Sequence, residues 1–415
     1  MTAPAGVVEH LFRHSAGRIT ATLARVLGPE RLDLAEDAVA DALVQALRIW
    51  PQSGVPENPG GWLFRTARNR AVDLLRREDT LRAKLPALAG LGCADEVRAG
   101  DDELALMVLC CHPELPPASR VALTLKTVGG LGVREIAAAL LTRPATVEQR
   151  LARAKRWLRA AGQPVELPGP ETLESRVDSV LSVLYLLFNE GYDATVGEVA
   201  VRGELCGEAI RLCRLLLTDR RTELPRARAL LALMLLQGSR LPARVDADGD
   251  LLLLGEQDRD RWDHAMIAEG IRVFAAACTG PAESAYHVEA AIAVCHTAAE
   301  TDWPRVLGLY DRLLELRDSP VARLNRAIAL AMAHGVPEGI AELERLEDHP
   351  RLAGYALLPA ALGTLWSRAG EPDRAAAYFR HALTLPAAEP QRRFLRRRLA
   401  ECSGAVDLEL IDRDG

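Results

Sequence analysis

The chain has 415 residues, 49% hydrophobic and only 4% aromatic, with a formal net charge of −6. That length excludes a single small core, and the shortage of aromatics beside abundant Ala, Leu and Arg argues against a sheet protein. The charge is uneven. Residues 1–165 carry 22 Lys and Arg against 18 Asp and Glu, and the remainder carries 29 against 39. This is the balance of a nucleic-acid-binding front joined to an acidic domain that binds none.

Taken in order, residues 9–27 form an amphipathic helix on Leu11, Phe12, Ile19, Leu23 and Val26. Residues 31–50 form a second, with Ala35, Val39, Ala42, Leu43 and Ala46 on its buried stripe. Asp37, Asp41 and Gln45 step by four along its polar side and suit a protein partner. A loop rich in Pro, Gly and Asn leads to a third helix, 61–78, where Leu63, Ala67, Ala71, Leu74 and Leu75 face inward. Arg65, Arg68, Asn69, Arg76 and Arg77 remain for solvent or phosphate. Such a polar side is usually only a solvated face; a second basic element downstream changes the balance.

Residues 79–100 hold Pro86, Gly90, Gly92 and Gly100 between short apolar pieces and read as a linker. Helices are then expected at 102–112, 117–128, 133–141 and 145–160. The last two have the layout of a helix-turn-helix. Val147, Leu151, Ala154 and Leu158 make the seam of its second helix, and Gln149, Arg150, Arg153 and Arg156 lie opposite, with Lys155 beside them and Arg143 and Thr146 at its start. Arg and Gln on such a helix are the side chains that bond base edges and phosphates in a major groove. Cys110, Cys111 and His112 resemble a metal fragment, but adjacent cysteines do not converge on one ion and no second ligand pair follows at zinc spacing, so buried thiols are expected.

Beyond residue 165 the chain is apolar and helical. Residues 174–187 form a helix ending at a turn of Asn189, Glu190, Gly191 and Tyr192, with Gly191 suited to a C-cap. The run LLLLGE at 251–256 is the one strand-like stretch. Pro304, Pro337 and Pro372 recur at intervals near 34 residues, each expected in the first turn of a helix. Paired helices at that period are the mark of tetratricopeptide (TPR) repeats, which bind peptides or proteins on a concave face. Glu190, His264, His287 and His296 are the candidates for catalysis here; the histidines sit singly in helical segments and argue for no enzyme.

Three motifs, LAEDAVADALVQALRIW, NPGGWLFRTARNRAVDLLRR and GVREIAAALLTRPATVEQRLARAKRWL, together resemble regions 2 and 4 of an extracytoplasmic-function (ECF) sigma factor, the promoter-recognition subunit of bacterial RNA polymerase. The pieces LCCHPEL, VLYLLFNEGY, WDHAMIAEG, TDWPRVLGLYDRL and SPVARLNRAIALA resemble the subgroup with a long TPR-like extension. The resemblance implies an all-α chain: region 2 over 1–78, a linker over 79–100, region 4 over 101–162, a helical extension over 171–300 and TPR-like repeats over 301–402.

It further implies that Asp37, Asp41 and Gln45 dock on the β′ clamp helices of core polymerase, whose β flap is a second contact. Trp62, Arg65, Arg68, Asn69, Arg76 and Arg77 would read and melt the −10 element, with Trp62 stacking on an unpaired base. Arg143, Thr146, Gln149, Arg150, Arg153 and Arg156 would read the −35 element. The turn Thr142–Ala145 is more basic and rigid than a small polar turn. Promoter DNA and core polymerase are thus the expected partners, with a protein or peptide partner for the TPR-like domain. Asn189–Tyr192 is expected to be a regulatory turn, and the extension to be required for activity. No cofactor and no metal is expected. No segment nears the ~18 apolar residues of a membrane span and no basic-then-apolar leader opens the chain, so a cytoplasmic protein with no membrane partner is expected. The alternative is a DNA-binding regulator with a TPR-like sensor and no polymerase role.

Overall fold

The computed structural model describes residues 5–76, 85–91, 93–140, 142–192, 201–246 and 249–412. These residues are mostly helical with no sheet; one isolated antiparallel bridge joins Val245 to Leu251. Two compact units result, Met1–Leu187 with Thr218–Thr222, and Phe188–Leu217 with Glu223–Gly415.

In the first unit, α1 (Ala5–Leu27), α2 (Leu32–Ser53) and α3 (Pro59–Arg76) share one core. Ala35, Ala38, Ala42 and Ala46 of α2 meet Ala67 and Ala71 of α3 there, and such small side chains let helix axes approach closely. Ile19, Leu23, Leu63, Phe64 and Leu75 fill the remaining volume. Gly54, at φ 82, ends α2. Asn58 starts α3, its Oδ1 accepting the Gly61 N–H at 2.8 Å, which satisfies one of the helix's orphan donors.

Within 79–100 the chain forms α4 (Leu85–Ala89) and the first turns of α5 (Cys93–Cys110), so α5 begins nine residues earlier than the periodicity at 102–112 indicates. Leu88 and Leu91, ahead of α5, are buried in the α1–α3 core. This stretch spends its apolar residues on packing.

The helix-turn-helix is built from α6 (Pro117–Thr127), α7 (Val133–Ala139) and α8 (Pro144–Ala161). Val147, Leu151, Ala154 and Leu158 are buried along α8, the seam expected from the sequence. Pro144 lies in the first turn of α8, and Gly162 ends it at φ 58. The unit is continuous across its two halves. Gly17 of α1 lies so close to the Val128 carbonyl after α6 that an added Cβ would stand 2.0 Å from that oxygen. Cys110 and Cys111 are buried beside Thr127 and Thr124, at 3.1 and 3.4 Å. Burial pushes the Cys111 thiol up to about 12 and the Cys110 thiol higher still. Both are inert core thiols.

The helix α9 runs from Pro170 to Tyr192, and the first unit continues along it through Leu187. It does not stop before Gly191 as the turn composition suggests. Gly191 is buried inside the helix, where a Cβ would stand 2.8–2.9 Å from Cys206 Sγ, Cys206 N and Arg202 O. Its role is close approach, not a C-cap.

In the second unit, α10 (Gly203–Leu216), α11 (Pro225–Gly238), α12 (His264–Ala277) and α13 (Ala285–Thr297) precede a run of paired helices. These are α14 (Trp303–Leu316), α15 (Pro320–Ala333), α16 (Val336–Glu344), α17 (Leu357–Arg368), α18 (Pro372–Thr384) and α19 (Glu389–Asp412). Each of α13 to α18 packs on the next. Pro304, Pro337 and Pro372 all sit in first turns. The apolar run at 251–256 makes the single bridge at Leu251 and then a 3-10 turn, Leu254–Glu256. It lacks a partner strand.

Candidate nucleic-acid interface

The seam that buries α8 fixes which of its side chains face outward. Gln149, Arg153 and Arg156 are exposed, Arg150 and Thr146 half-buried, and Arg143 is exposed at the helix N-cap. Among the described residues the side chains of Arg143, Arg150, Arg153 and Arg156 make no ion pair. At ~1.5 Å per residue they spread over about 20 Å of helix, the length of a major-groove contact. Trp157 locks the helix from behind, its Nε1 donating to Glu114 Oε2 at 3.2 Å and its ring 4.2 Å from that of His112.

Lys155 points elsewhere. Its Nζ donates to Asp33 Oδ1 at 2.5 Å and to Glu36 Oε2 at 2.7 Å, and Arg159 donates to Asp33 Oδ2 at 3.1 Å. The Lys155 and Glu36 side chains are 14% and 12% exposed, which makes this a largely desolvated pair. Burial pushes the Glu36 carboxyl above the usual carboxylate range, against the opposing pull of Lys155. The recognition helix is thereby pinned to the start of α2.

On α3 the arginines are mostly engaged. Arg68 Nη1 donates to the Leu91 carbonyl at 2.6 Å and its Nη2 to Asn69 Oδ1 at 3.1 Å. Arg70 bonds Asp41 at 2.5 Å, and Arg76 faces Asp73 at 3.4 Å. Arg65 and Asn69 are exposed, and Arg65 makes no ion pair among the described residues. Arg77 lies outside the described residues. Trp62 is half-buried against the α1–α3 core, its ring edge-on to Trp50 at 5.5 Å. Beside it, Ser15, Arg18, Asn58, Gly60, Gly61 and Phe64 line a cavity of about 210 Å³ that periodicity gave no sign of.

The outer side of α2 presents Asp37 and Gln45. Asp41, the middle member of that stripe, is spent on Arg70. The sequence reading also missed Val44, Leu47 and Ile49, 45%, 59% and 43% exposed. Their signal was present for Val44 and Leu47, which fall off the stripe of Ala35, Val39, Ala42 and Ala46; Ile49 continues that stripe and is exposed near the end of the helix. Val44 and Leu47 lie side by side next to Asp37, so this face sets exposed apolar groups beside charged ones, the make-up of a protein-docking surface.

In the second unit, Tyr192 stacks on Phe188 with ring centroids 5.7 Å apart and lies 4.0 Å beneath the Arg244 guanidinium. Glu190 faces Arg202 at 3.8 Å, and Asn189 is half-buried. His287 uses both ring nitrogens locally, on Ser284 at 2.8 Å and on the Ala277 carbonyl at 3.2 Å. His264 opens α12 in solvent, and His296 packs edge-on to Trp303. The candidate catalytic residues are not brought together. Among the described residues no cluster of His, Cys, Asp and Glu is arranged for a metal, and no helix is long and apolar enough to cross a membrane.

Comparison with known proteins agrees with this geometry. Residues 11–80 match sigma-70 region 2, and residues 105–158 match sigma-70 region 4. Residues 176–278 match a family of unknown function (DUF6596). Over 382 residues the chain is 39% identical to an uncharacterized protein of Rhizobium meliloti (strain 1021), an alignment covering 89% of this chain and 90% of that relative.

Proposed function

Because the chain belongs to the sigma-70 family, as a factor of the ECF-like kind with regions 2 and 4 and a further domain of unknown function, we propose that it directs promoter-specific initiation under the control of its second unit. Regions 2 and 4 imply core RNA polymerase and promoter DNA as partners. The observation that carries the finer reading is the α8 face, where Arg143, Arg150, Arg153 and Arg156 stand without carboxylate partners among the described residues.

In this reading Gln149, Arg150, Arg153 and Arg156 read the −35 element, with Arg143 and Thr146 anchoring phosphates at the helix start. Arg65, Asn69 and Arg76 contact the −10 region, while Arg68 holds the loop at Leu91 and Trp62 supports the neighbouring cavity. The cavity between Arg18 and Asn58 receives an unpaired base, a role assigned to Trp62 from sequence. Asp37 and Gln45, joined by Val44 and Leu47, dock on the β′ clamp helices, and region 4 meets the β flap. The protein acts in the cytoplasm by binding, without catalysis or cofactor.

Elements named −35 and −10 lie about 25 base pairs apart, about 85 Å of duplex at ~3.4 Å per step. With α8 pinned to α2 by Lys155, the first unit is one compact body. Roughly 190 residues so packed have a radius of gyration of ~16 Å, too short to reach both. Polymerase binding must therefore break that pair, and the two halves then act as linked modules with a raised effective concentration. The second unit, with paired helices of TPR-like period, completes the ECF subgroup reading and serves as the element through which a partner sets activity, the helical residues Asn189–Tyr192 at the end of α9 included.

The test is run-off transcription on genomic promoter fragments with purified core polymerase. Initiation at a defined set of start sites is expected, and a chain ending after Leu187, the last residue of the first unit's main segment, should initiate less. DNA binding without any initiation would replace this reading by that of a polymerase-independent regulator. Truncated chains matching or exceeding full-length output would assign plain autoinhibition to the second unit.

A further inference from the structure

In the second unit the segment after α11 is held against α19 by three arginines. Arg393 pairs with Asp250 and donates to the Gly249 carbonyl at 3.1 Å. Arg397 donates to the Leu251 carbonyl at 3.3 Å, and Arg398 pairs with Glu256. So held, Leu253 and Leu254 form a wall shared by two cavities, which also have Leu357, Ala360 and Phe394 in common. One, of about 340 Å³, adds Tyr192, Arg240, Arg244 and Gln257. The other, of about 560 Å³, is mostly apolar, with Trp303, Ile328 and Met332 along it and Arg259, Asn325 and Arg368 among its polar groups.

The charge on these walls is one-sided. Glu256 is the one carboxylate among the described residues lining either cavity, and Arg398 already holds it. Arg368 contacts the Met332 thioether, and Arg259 the Ala298 carbonyl and the Trp262 ring; neither meets a carboxylate among the described residues. Arg240 Nε and Gln257 Oε1 are buried with no hydrogen-bond partner among them, a donor and an acceptor both left wanting. The field reaches His296, whose imidazole is pushed down to about 4 by burial and then by Arg240 and Arg259.

We propose that these adjoining cavities are one binding site for a small amphipathic carboxylate that carries a hydrogen-bond donor near its head, such as a 3-hydroxy acid. The carboxylate sits by Arg240, the donor meets Gln257 Oε1, and the apolar chain lies in the larger cavity. Both volumes fall in the ~300–1,000 Å³ range of small-molecule sites. Only the consequence for transcription rests on the sigma-factor reading; binding itself is measured directly, so either can fail alone.

The test is calorimetric titration of the full chain with 3-hydroxydecanoate and, separately, with its methyl ester. Saturable binding of the acid is expected, with the ester at least about tenfold weaker, the worth of a charge-assisted hydrogen bond. Arg240→Met should weaken the acid by a similar factor while leaving the ester unchanged. Ala361→Leu, which fills the larger cavity, should weaken both, each variant keeping its helical circular dichroism. Equal affinity for acid and ester overturns the assignment of the head site. Absence of saturable binding at millimolar acid, or binding of acidic peptides in its place, overturns the small-ligand proposal.

Discussion

Two helices of the first unit carry arginines at helical spacing, and they use them differently. On α3, Arg68 and Arg70 are turned to the Leu91 carbonyl and Asp41. On α8, Arg150, Arg153 and Arg156 have no ion pair among the described residues, and the cations that are engaged, Lys155 and Arg159, lie on the neighbouring side. A run of basic residues is therefore not one property. Those with an acid or carbonyl within reach across a helix pair build the fold, and the rest are available to phosphate.

The largest effect should come from α8. Arg153→Ala with Arg156→Ala removes two groups with no other work, at ~1–3 kcal/mol each. Promoter-specific transcription should drop at least thirtyfold with core binding and thermal stability unchanged. A parallel loss of core binding would move these residues to a protein interface.

Next comes the pin. Lys155→Met leaves Glu36 largely buried without its cation, and removing one partner of such a pair costs ~3 kcal/mol when burial is complete. The pair is not fully buried, so a loss of about 2 kcal/mol in chemical denaturation is expected. An unchanged midpoint would show that the contact holds nothing in solution. On α2, Asp37→Lys should weaken co-purification with core polymerase by ~1–3 kcal/mol through like charges meeting at a polar rim, with helicity intact. Asp41→Lys should instead lower stability first, because it turns the Arg70 pair into a repulsion.

What could be read from sequence was what depends on one helix alone. The seam of Val147, Leu151, Ala154 and Leu158 and the alanine stripe of α2 follow from a 3.6-residue period and needed no knowledge of neighbours. The first-turn positions of Pro304, Pro337 and Pro372 were equally local. Pairings across the fold were not legible. Arg70 finds Asp41 over 29 residues, and Arg68 finds Leu91 over 23; both depend on which turns of two helices face each other. Gly191 was misread for the same reason, since a C-cap glycine and a close-approach glycine have the same letter and differ in what lies opposite. The apolar run at 251–256 carried a strand's composition and met no second strand.

The smallest effect is also the sharpest test of the contrast, because it compares two arginines of α3 three residues apart. Arg65 is exposed, whereas Arg68 caps the Leu91 carbonyl next to the buried Leu88 and Leu91. If engagement decides role, Arg65→Ala should lower transcription by the worth of one phosphate contact and flatten its salt dependence, with no change in melting temperature. Arg68→Ala should do the reverse, costing ~1 kcal/mol of stability for one charged hydrogen bond that loses its donor. Its transcription deficit should shrink on cooling, where the fold is restored. Arg68→Lys should rescue little, since a point charge cannot hold a carbonyl and Asn69 together as the planar guanidinium does. Should Arg68→Ala leave stability untouched while abolishing initiation, the contact with Leu91 is incidental and the helix is a DNA-reading surface along its whole length.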